Sequence, residues 1–149
     1  MADIVDVSTR SRMMSAIKGR DTKPELVLRR ALHALGFRFR LHRRIAASRP
    51  DLIFPKYRAA VFVHGCFWHR HTGCKYCTTP SSNLPFWSDK FSQNVQRDAR
   101  NVSDLRMAGW RVGVIWECQL TAQTGDKTLD AAARWLKSDE SFFESSERG

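Results

Sequence analysis

The sequence predicts an α/β domain in which helices flank a central mixed β-sheet. Apolar residues recur at helical intervals in several segments, and short alternating or continuous apolar runs typical of strands lie between them. Helices and strands that follow one another in this way favour layers packed around one sheet. A chain of 149 residues is long enough for a single domain with a substantial core.

The first two helices are predicted from their ends. A short helix is expected over residues 9–17. A second helix begins at Thr22, which has the capping-box spacing to Glu25 and is followed by Pro24 in the first turn. Gly36 is a suitable stop for this helix. Its apolar side chains recur at helical intervals: Leu26, Leu28, Leu32 and Leu35.

Strands are predicted mainly in the middle of the chain. Residues 37–41 alternate between apolar and polar side chains, and residues 51–54 and 59–63 are separated by a four-residue turn. A further strand is expected after the third helix. In chain order, the remaining predicted segments are a loop, a helix, a strand and a helix: 65–87, 88–108, 110–116 and 128–136.

Positive charge is distributed unevenly along the chain. The formal net charge is +10 and the isoelectric point is about 10.1, which favours a polyanionic partner over a merely basic surface. Residues 1–50 hold 12 Lys and Arg against 4 Asp and Glu. We expect a basic N-terminal arm over residues 1–20, a core over 21–137 and a flexible tail over 138–149. Candidate contacts from the arm to a nucleic-acid backbone are Arg10, Arg12, Lys18 and Arg20.

The compartment is predicted from the N-terminus and the cysteines. The first residues lack a basic region followed by a long apolar run, and no apolar segment approaches the roughly 20 residues of a membrane helix. We therefore expect an intracellular, cytoplasmic protein with reduced thiols. Four cysteines in such a protein point to a metal site rather than to disulfides.

The loop after the third predicted strand concentrates metal ligands. A closed Cys₃His set of four ligands is the usual structural zinc site. The competing interpretation is a local site in which Cys77, three residues after Cys74, replaces Cys118 or His71. Redox chemistry at this Cys-x-x-Cys pair is disfavoured, because no thioredoxin-like unit precedes it. The preferred zinc ligands are Cys66, His71, Cys74 and Cys118.

A carboxylate lies close to this loop if the predicted hairpin has the expected register. Pairing of Phe54 with Ala59 places Asp51 opposite Phe62 and makes His64 its diagonal neighbour, roughly 7–8 Å away. A one-residue slip would separate Asp51 and His64 onto opposite faces. On this register, Asp51 and His64 are near enough to share one substrate phosphate.

This arrangement resembles the PD-(D/E)xK nuclease superfamily, whose fold is restriction-endonuclease-like. A Pro-Asp pair opens one strand, and reactive groups lie at alternate positions on the next. The departures are Phe62 at the acidic position and His64 at the lysine position. A hard cation such as Mg²⁺ prefers oxygen ligands, so Asp51 needs a backbone carbonyl or a second carboxylate beside it. The alternative is an Asp that only flanks a turn.

The fuller pattern resembles the very-short-patch repair (Vsr) endonucleases. The resemblance covers most of the chain, from residue 9 to residue 118. Members of this family nick one strand on the 5′ side of the thymine in a T·G mismatch, which arises when 5-methylcytosine deaminates. The most specific motifs are the segments 64–69, 86–87, 94–98, 109–112 and 116–118.

The resemblance also implies catalytic roles. Asp51 and the backbone carbonyl of Val63 would bind a catalytic Mg²⁺, and His69 would be the general base, for which an imidazole suits work near pH 7. The remaining catalytic side chains would hold metal-bound water or the scissile phosphate: His64, Glu25 and Asp98. Glu25 as a helix-capping acid and Asp98 as a partner of neighbouring arginines are the competing interpretations.

Aromatic residues complete the predicted site, whereas the two other histidines, His33 and His42, are interpreted as surface or packing residues. The resemblance assigns Phe67, Trp68 and Trp87 as a wedge that intercalates between bases. Core packing is the alternative for Trp87. Three further tryptophans are expected in the core: Trp110, Trp116 and Trp135.

Together these features predict a Mg²⁺-dependent, strand-specific DNA mismatch endonuclease with a structural Zn²⁺. Its partner would be double-stranded DNA containing a T·G mismatch. The resemblance implies a monomer in the bacterial cytoplasm, and leaves open whether mismatch-repair proteins assist it. The alternatives are a restriction-type endonuclease that cuts matched DNA and a catalytically inactive, zinc-containing DNA-binding protein.

Overall fold

A computed structural model describes residues 22–74 and 77–145. The predicted helix over residues 9–17 and the four basic residues of the arm lie outside this part of the chain. The helices are α1 (Lys23–Ala34), α2 (Leu84–Met107) and α3 (Gly125–Leu136). The strands are β1 (Arg40–Leu41), β2 (Leu52–Phe54), β3 (Ala59–His64), β4 (Arg111–Trp116) and β5 (Phe142–Glu144).

The five strands form one mixed sheet in the order β1-β2-β3-β4-β5. The first three pair antiparallel, and β3, β4 and β5 are mutually parallel. The predicted hairpin register is confirmed, since Phe54 pairs with Ala59 and Leu52 with Val61. The chain is therefore a single α/β domain with a mixed sheet, as predicted.

Helices cover both faces of the sheet. Val61 and Ile115 pack with Leu28 and Leu32 of α1 and with Trp135 of α3 on one face. Ala60, Phe62 and Val112 pack with Leu105 of α2 on the other. Because both faces are covered, β3 and β4 are almost continuously apolar instead of alternating.

Close packing on the α1–α3 face depends on a glycine in β4. A side-chain carbon at Gly113 would lie 3.0 Å from the indole ring of Trp135. The ring therefore occupies the space that any larger residue at position 113 would need.

Several predicted boundaries differ from the structure. Helix α2 begins at Leu84, four residues before the predicted start, because Asn83 takes a left-handed conformation and Pro85 fits the first turn. Strand β1 is only two residues long, and Phe37 packs into the core instead of joining it. Thr22 makes no side-chain capping bond, so the predicted capping box is absent. Gly36 follows α1 with a φ of +98°, as expected for a helix stop.

The prediction of a flexible tail was wrong for Phe142–Glu144, which form the edge strand β5. The dense Ser and Glu residues suggested fraying, but the apolar pair Phe142 and Phe143 anchors the segment. Phe143 stacks on Trp135 with ring centroids 5.7 Å apart. Within the described residues, no helix is both long and apolar enough to cross a membrane.

Candidate active site and metal centre

Asp51 lies just before β2, where the antiparallel pairing with β3 ends. Its amide donates to the carbonyl of Val61 at 3.0 Å, and its Oδ2 accepts a hydrogen bond from the amide of Val63 at 2.8 Å. Burial raises the pKa of Asp51 to about 7, the Val63 amide opposes that rise, and neighbouring Glu25 adds to it. Burial and the neighbouring carboxylate therefore disfavour the charged form of Asp51.

Glu25 and His42 complete what we call the carboxylate cluster, Glu25–His42–Asp51. Oε2 of Glu25 lies 2.9 Å from Nε2 of His42 and 2.9 Å from Nη1 of Arg29. Nδ1 of His42 lies 3.8 Å from Oδ1 of Asp51. One ligand atom from each cluster member lies within 4.8 Å of the other two. Glu25 thus lies beside both Asp51 and His42.

Sequence interpretation missed His42, which it assigned to the surface or to packing. The pairing of Leu41 with Leu52 carries His42 to a position across from Asp51, and its amide donates to the Asp51 carbonyl at 3.2 Å. The signal was present in the predicted strand over residues 37–41. Antiparallel pairing of that strand with β2 would have placed the imidazole beside the carboxylate. His33, by contrast, is exposed as expected.

A second group, the histidine cluster His64–His69–Asp98, lies on the α2 side of the sheet. Nδ1 of His69 lies 2.5 Å from Oδ2 of Asp98. The imidazoles of His64 and His69 are stacked, with centroids 4.0 Å apart and planes at 6°. Asp98 is therefore the orienting partner of His69, in addition to any interaction with neighbouring arginines.

His64 is held in its neutral form. Burial and, to a smaller extent, nearby His69 lower its pKa to about 3, and Asp98 partly opposes this shift. Its contact with Asp98, at 4.0 Å, is consequently not an ion pair near pH 7. Nδ1 of His64 is buried without a hydrogen-bond partner among the described residues. A neutral imidazole has one N–H group that can donate a hydrogen bond and one nitrogen that can accept one.

The two clusters meet at the end of β3. Val63 donates its amide to Asp51, and the next residue, His64, belongs to the histidine cluster. Asp51 and His64 were expected to lie on the same face of the sheet. In the structure, the Asp51 carboxylate lies with Glu25 of α1, whereas His64 lies with Asp98 of α2. Asp51 lies outside the regular strand, which leaves its side chain free to turn towards α1.

The structure brings Cys66, His71, Cys74 and Cys118 together as the cysteine cluster, whose ligand atoms lie within 4.8 Å of one another. Nδ1 of His71 is 3.6 Å from Sγ of Cys66 and 3.3 Å from Sγ of Cys118. Zinc bonds of about 2.0–2.3 Å give tetrahedral ligand separations in this range. These residues fit a closed zinc site.

The buried thiols of the cysteine cluster also favour a bound cation. Burial raises the pKa of the Cys66 thiol and of the Cys118 thiol. A bound divalent ion would favour the thiolate forms that burial disfavours. Cys77 is half-buried and is not a member of the cluster.

Residues 116–118 brace the loop against the sheet. The Trp116 ring stacks on His71, with centroids 4.2 Å apart, and its edge faces His64 at 5.1 Å. Its indole nitrogen donates to Oε2 of Glu144 at 2.7 Å. Oε1 of Glu117 accepts the amide of Cys66 at 2.8 Å. One buried tryptophan thus touches both the cysteine cluster and the histidine cluster.

The predicted wedge residues belong to an aromatic cluster made of Phe67, Trp68, Trp87 and Phe91. Phe67 lies 5.0 Å from Trp68 and 5.6 Å from Trp87, measured between ring centroids. Phe67 and Trp68 are half-exposed, whereas Trp87 is only 4% exposed. Trp87 therefore packs beneath the other two rings in this conformation. The buried amide of Asn94 donates to the Trp68 carbonyl at 3.1 Å and fixes the loop on α2.

Comparison with known proteins identifies the family of this chain. A family model described as DNA mismatch endonuclease Vsr matches residues 2–75. The DNA mismatch endonuclease Vsr of Escherichia coli is 42% identical over 139 residues, which cover 91% of this chain and 88% of that protein. The chain belongs to the Vsr family. It is therefore a DNA endonuclease, a hydrolase.

Two further proteins are similar to this chain, one in sequence and one in structure. The type II nicking enzyme V.XorIIP of Xanthomonas oryzae pv. oryzae is 43% identical over 121 residues, which cover 81% of this chain and 88% of that enzyme. The catalytic domain of the homing endonuclease I-Bth0305I has a similar structure, with a TM-score of 0.55 and 21% identity over 80% of this chain and all of that domain. At that identity the second similarity shows the fold alone.

Proposed function

We propose that this Vsr-family enzyme hydrolyses one strand of duplex DNA on the 5′ side of the thymine in a T·G mismatch, with a divalent metal as cofactor. The observation that carries the proposal is the meeting of two clusters at the end of β3. A largely buried carboxylate, Asp51, lies on one side of this strand end, and a histidine that a second carboxylate orients lies on the other.

His69 is the general base in this proposal. Its Nδ1 faces Asp98, which leaves Nε2 to accept the proton of the attacking water. The His69 side chain is 28% exposed, so a substrate phosphate can reach it. Neutral His64 donates one hydrogen bond from its ring N–H to an oxygen of the scissile phosphate in this proposal. The water oxygen bonds to phosphorus as the bond from phosphorus to the leaving oxygen breaks.

The carboxylate cluster is the proposed metal site. Asp51 and Glu25 offer carboxylate oxygens, and the carbonyl of Val63 is the proposed additional ligand. Mg²⁺ in that position would polarise the phosphoryl oxygens and neutralise developing charge. Zn²⁺ is the proposed ion of the cysteine cluster, where four protein ligands leave no open position.

Mismatch selectivity is assigned to the aromatic cluster. Phe67 and Trp68 are the half-exposed rings that can enter a base step, supported from below by Trp87 and Phe91. Unstacking costs a few kcal/mol and is cheapest at a mismatched step. Trp87 would contact DNA only after this cluster opens. Arg10, Arg12, Lys18 and Arg20 stay proposed backbone contacts, and a monomer in the bacterial cytoplasm stays the proposed state.

A nicking assay with end-labelled duplexes tests this function. One duplex would carry a T·G mismatch in a CT(A/T)GG-like context, and the matched control would carry C·G. We expect a single Mg²⁺-dependent nick 5′ of the mismatched thymine, and Trp68→Ala should reduce the preference for the mismatch. Cutting of matched DNA on both strands would favour the restriction-type alternative. Tight binding without cleavage would favour the inactive DNA-binding protein.

A further inference from the structure

We propose that His42 is a ligand of the catalytic metal, and that its imidazole gives the site a preference for Mn²⁺ or a similar transition ion over Mg²⁺. The inference rests on the proposed metal-dependent function and specifies the cofactor of that site. It assigns a nitrogen donor to a centre otherwise described by oxygen ligands.

The backbone at His42 is the first observation. His42 has a φ of +54°, a left-handed conformation that is uncommon for residues other than glycine. This conformation lies directly after β1, in the position opposite Asp51. Strained conformations of this kind persist where the surrounding structure holds them, and they concentrate at functional sites. Here the turn directs a side chain that is only 10% exposed towards two carboxylates.

One ligand atom from each of the three residues of the carboxylate cluster lies within 4.8 Å of the other two, a spacing that a single ion can bridge. Bonds of about 2.1 Å in octahedral geometry separate adjacent ligands by about 3.0 Å. Nε2 of His42 and Oε2 of Glu25 are 2.9 Å apart. The three residues reach this point from α1, from the turn after β1 and from the start of β2. A metal held there is therefore fixed by three separate elements of the fold.

The types of ligand atom also bear on which ion this point would hold. Glu25 and Asp51 place two carboxylate groups beside the His42 imidazole, and Glu25 also pairs with Arg29. A neutral imidazole adds a donor without adding a third negative charge. Imidazole suits transition metals, whereas Mg²⁺ prefers oxygen ligands throughout. Replacing His42 with an oxygen-bearing residue should consequently shift selectivity towards Mg²⁺.

The test is Mn²⁺ binding to the full-length protein with zinc in the cysteine cluster, read by electron paramagnetic resonance. Titration of the free Mn²⁺ signal gives the affinity, and pulsed measurement of nitrogen coupling identifies a bound imidazole. The variants are His42→Gln and His42→Asn. His33→Gln is the matched control, since His33 is an exposed histidine near the same region.

We expect nitrogen coupling in the wild type and in His33→Gln, and its loss in both His42 variants. Mn²⁺ affinity should fall at least about tenfold, a loss seen even for residues that only support metal ligands. Mg²⁺ affinity, measured by competition, should change less. Wild-type protein that binds Mn²⁺ without nitrogen coupling would overturn the proposal, even if the variants failed to fold. Coupling that persists in a folded His42 variant would also overturn it.

Nicking of the T·G duplex in Mg²⁺ separates this proposal from the proposed function. A wild type that nicks the mismatch but shows no nitrogen coupling would contradict the role of His42 alone. A wild type that shows the coupling but does not nick any mismatched duplex would contradict the proposed function while supporting the metal ligand.

Discussion

The cysteine cluster and the carboxylate cluster differ in how the fold assembles them. Three ligands of the cysteine cluster lie within nine residues of one loop, and Cys118 joins them from just beyond β4. The carboxylate cluster draws each residue from a different element, with Glu25 on α1, His42 after β1 and Asp51 before β2. The first cluster can therefore order a loop, whereas the second exists only after the sheet and α1 have packed.

The same two clusters differ in how many coordination positions they leave vacant on a bound ion. Four soft ligands enclose a tetrahedral ion and leave it no vacant position. Two carboxylates and an imidazole leave positions of an octahedral ion for water and a phosphate oxygen. Losing the ion of the cysteine cluster should therefore damage the structure, whereas losing the ion of the carboxylate cluster should damage only catalysis.

Breaking the cysteine cluster should have the largest effect. Cys66→Ser should lower the unfolding free energy by several kcal/mol and abolish nicking, because His64, His69 and the aromatic rings depend on the loop. Thermal unfolding, zinc content and the nicking rate would be measured together. Cys77→Ser is the control, because Cys77 is outside the cluster and should keep zinc and activity. Full nicking by zinc-free Cys66→Ser would contradict the role of the loop.

Changing the orientation of His69 should have an intermediate effect. Asp98→Asn removes the charge that holds Nδ1 of His69 and should reduce kcat by about 10²-fold, the lower range for general-base catalysis. KM should change little, and the unfolding temperature should stay near that of the wild type. Asp104→Asn, on the same helix, is the control. An unchanged kcat in Asp98→Asn would remove His69 from the proposed role.

Removing the hydrogen bond that holds Trp116 between the cysteine cluster and the histidine cluster should have the smallest effect. Glu144→Ala removes the acceptor of the Trp116 indole, and Glu144→Gln keeps one. We expect a few-fold loss of kcat in Glu144→Ala and near-normal activity in Glu144→Gln. With Co²⁺ in the cysteine cluster, the absorption bands should shift in Glu144→Ala because Trp116 stacks on His71. Identical spectra in all three proteins would show that the position of Trp116 does not affect the metal site of the cysteine cluster.

The two clusters were also unequally predictable. Local spacing indicated Cys66, His71 and Cys74, because ligands of a compact site lie close in sequence. His42 was missed because its neighbours come from long-range strand pairing, which a weak two-residue strand does not reveal. Strand β5 was missed for a similar reason, since two phenylalanines in a polar tail gain their packing only from Trp135 and β4.

The helices and central strands were more predictable than their boundaries. The register of β2 with β3 followed from the four-residue turn after Phe54. The start of α2 depended on a left-handed Asn83, a conformation that periodicity does not indicate. Burial of Trp87 under Phe67 and Trp68 likewise depends on how α2 meets the loop, and helical spacing alone does not determine that contact.

The most direct test of the difference between the clusters is Asp51→Asn, compared with wild type in nicking and in thermal unfolding without Mg²⁺. In the folded protein the pKa of Asp51 is raised from 3.8 to about 7, so wild-type stability should fall as pH rises from about 4 to 7. The variant should lack this component, on the order of a few kcal/mol at most. We predict that Asp51→Asn keeps its zinc, unfolds at least as high as wild type at pH 8, and does not nick. A variant that nicks normally, or loses zinc and unfolds early, would contradict the separation of a structural ion from a catalytic one.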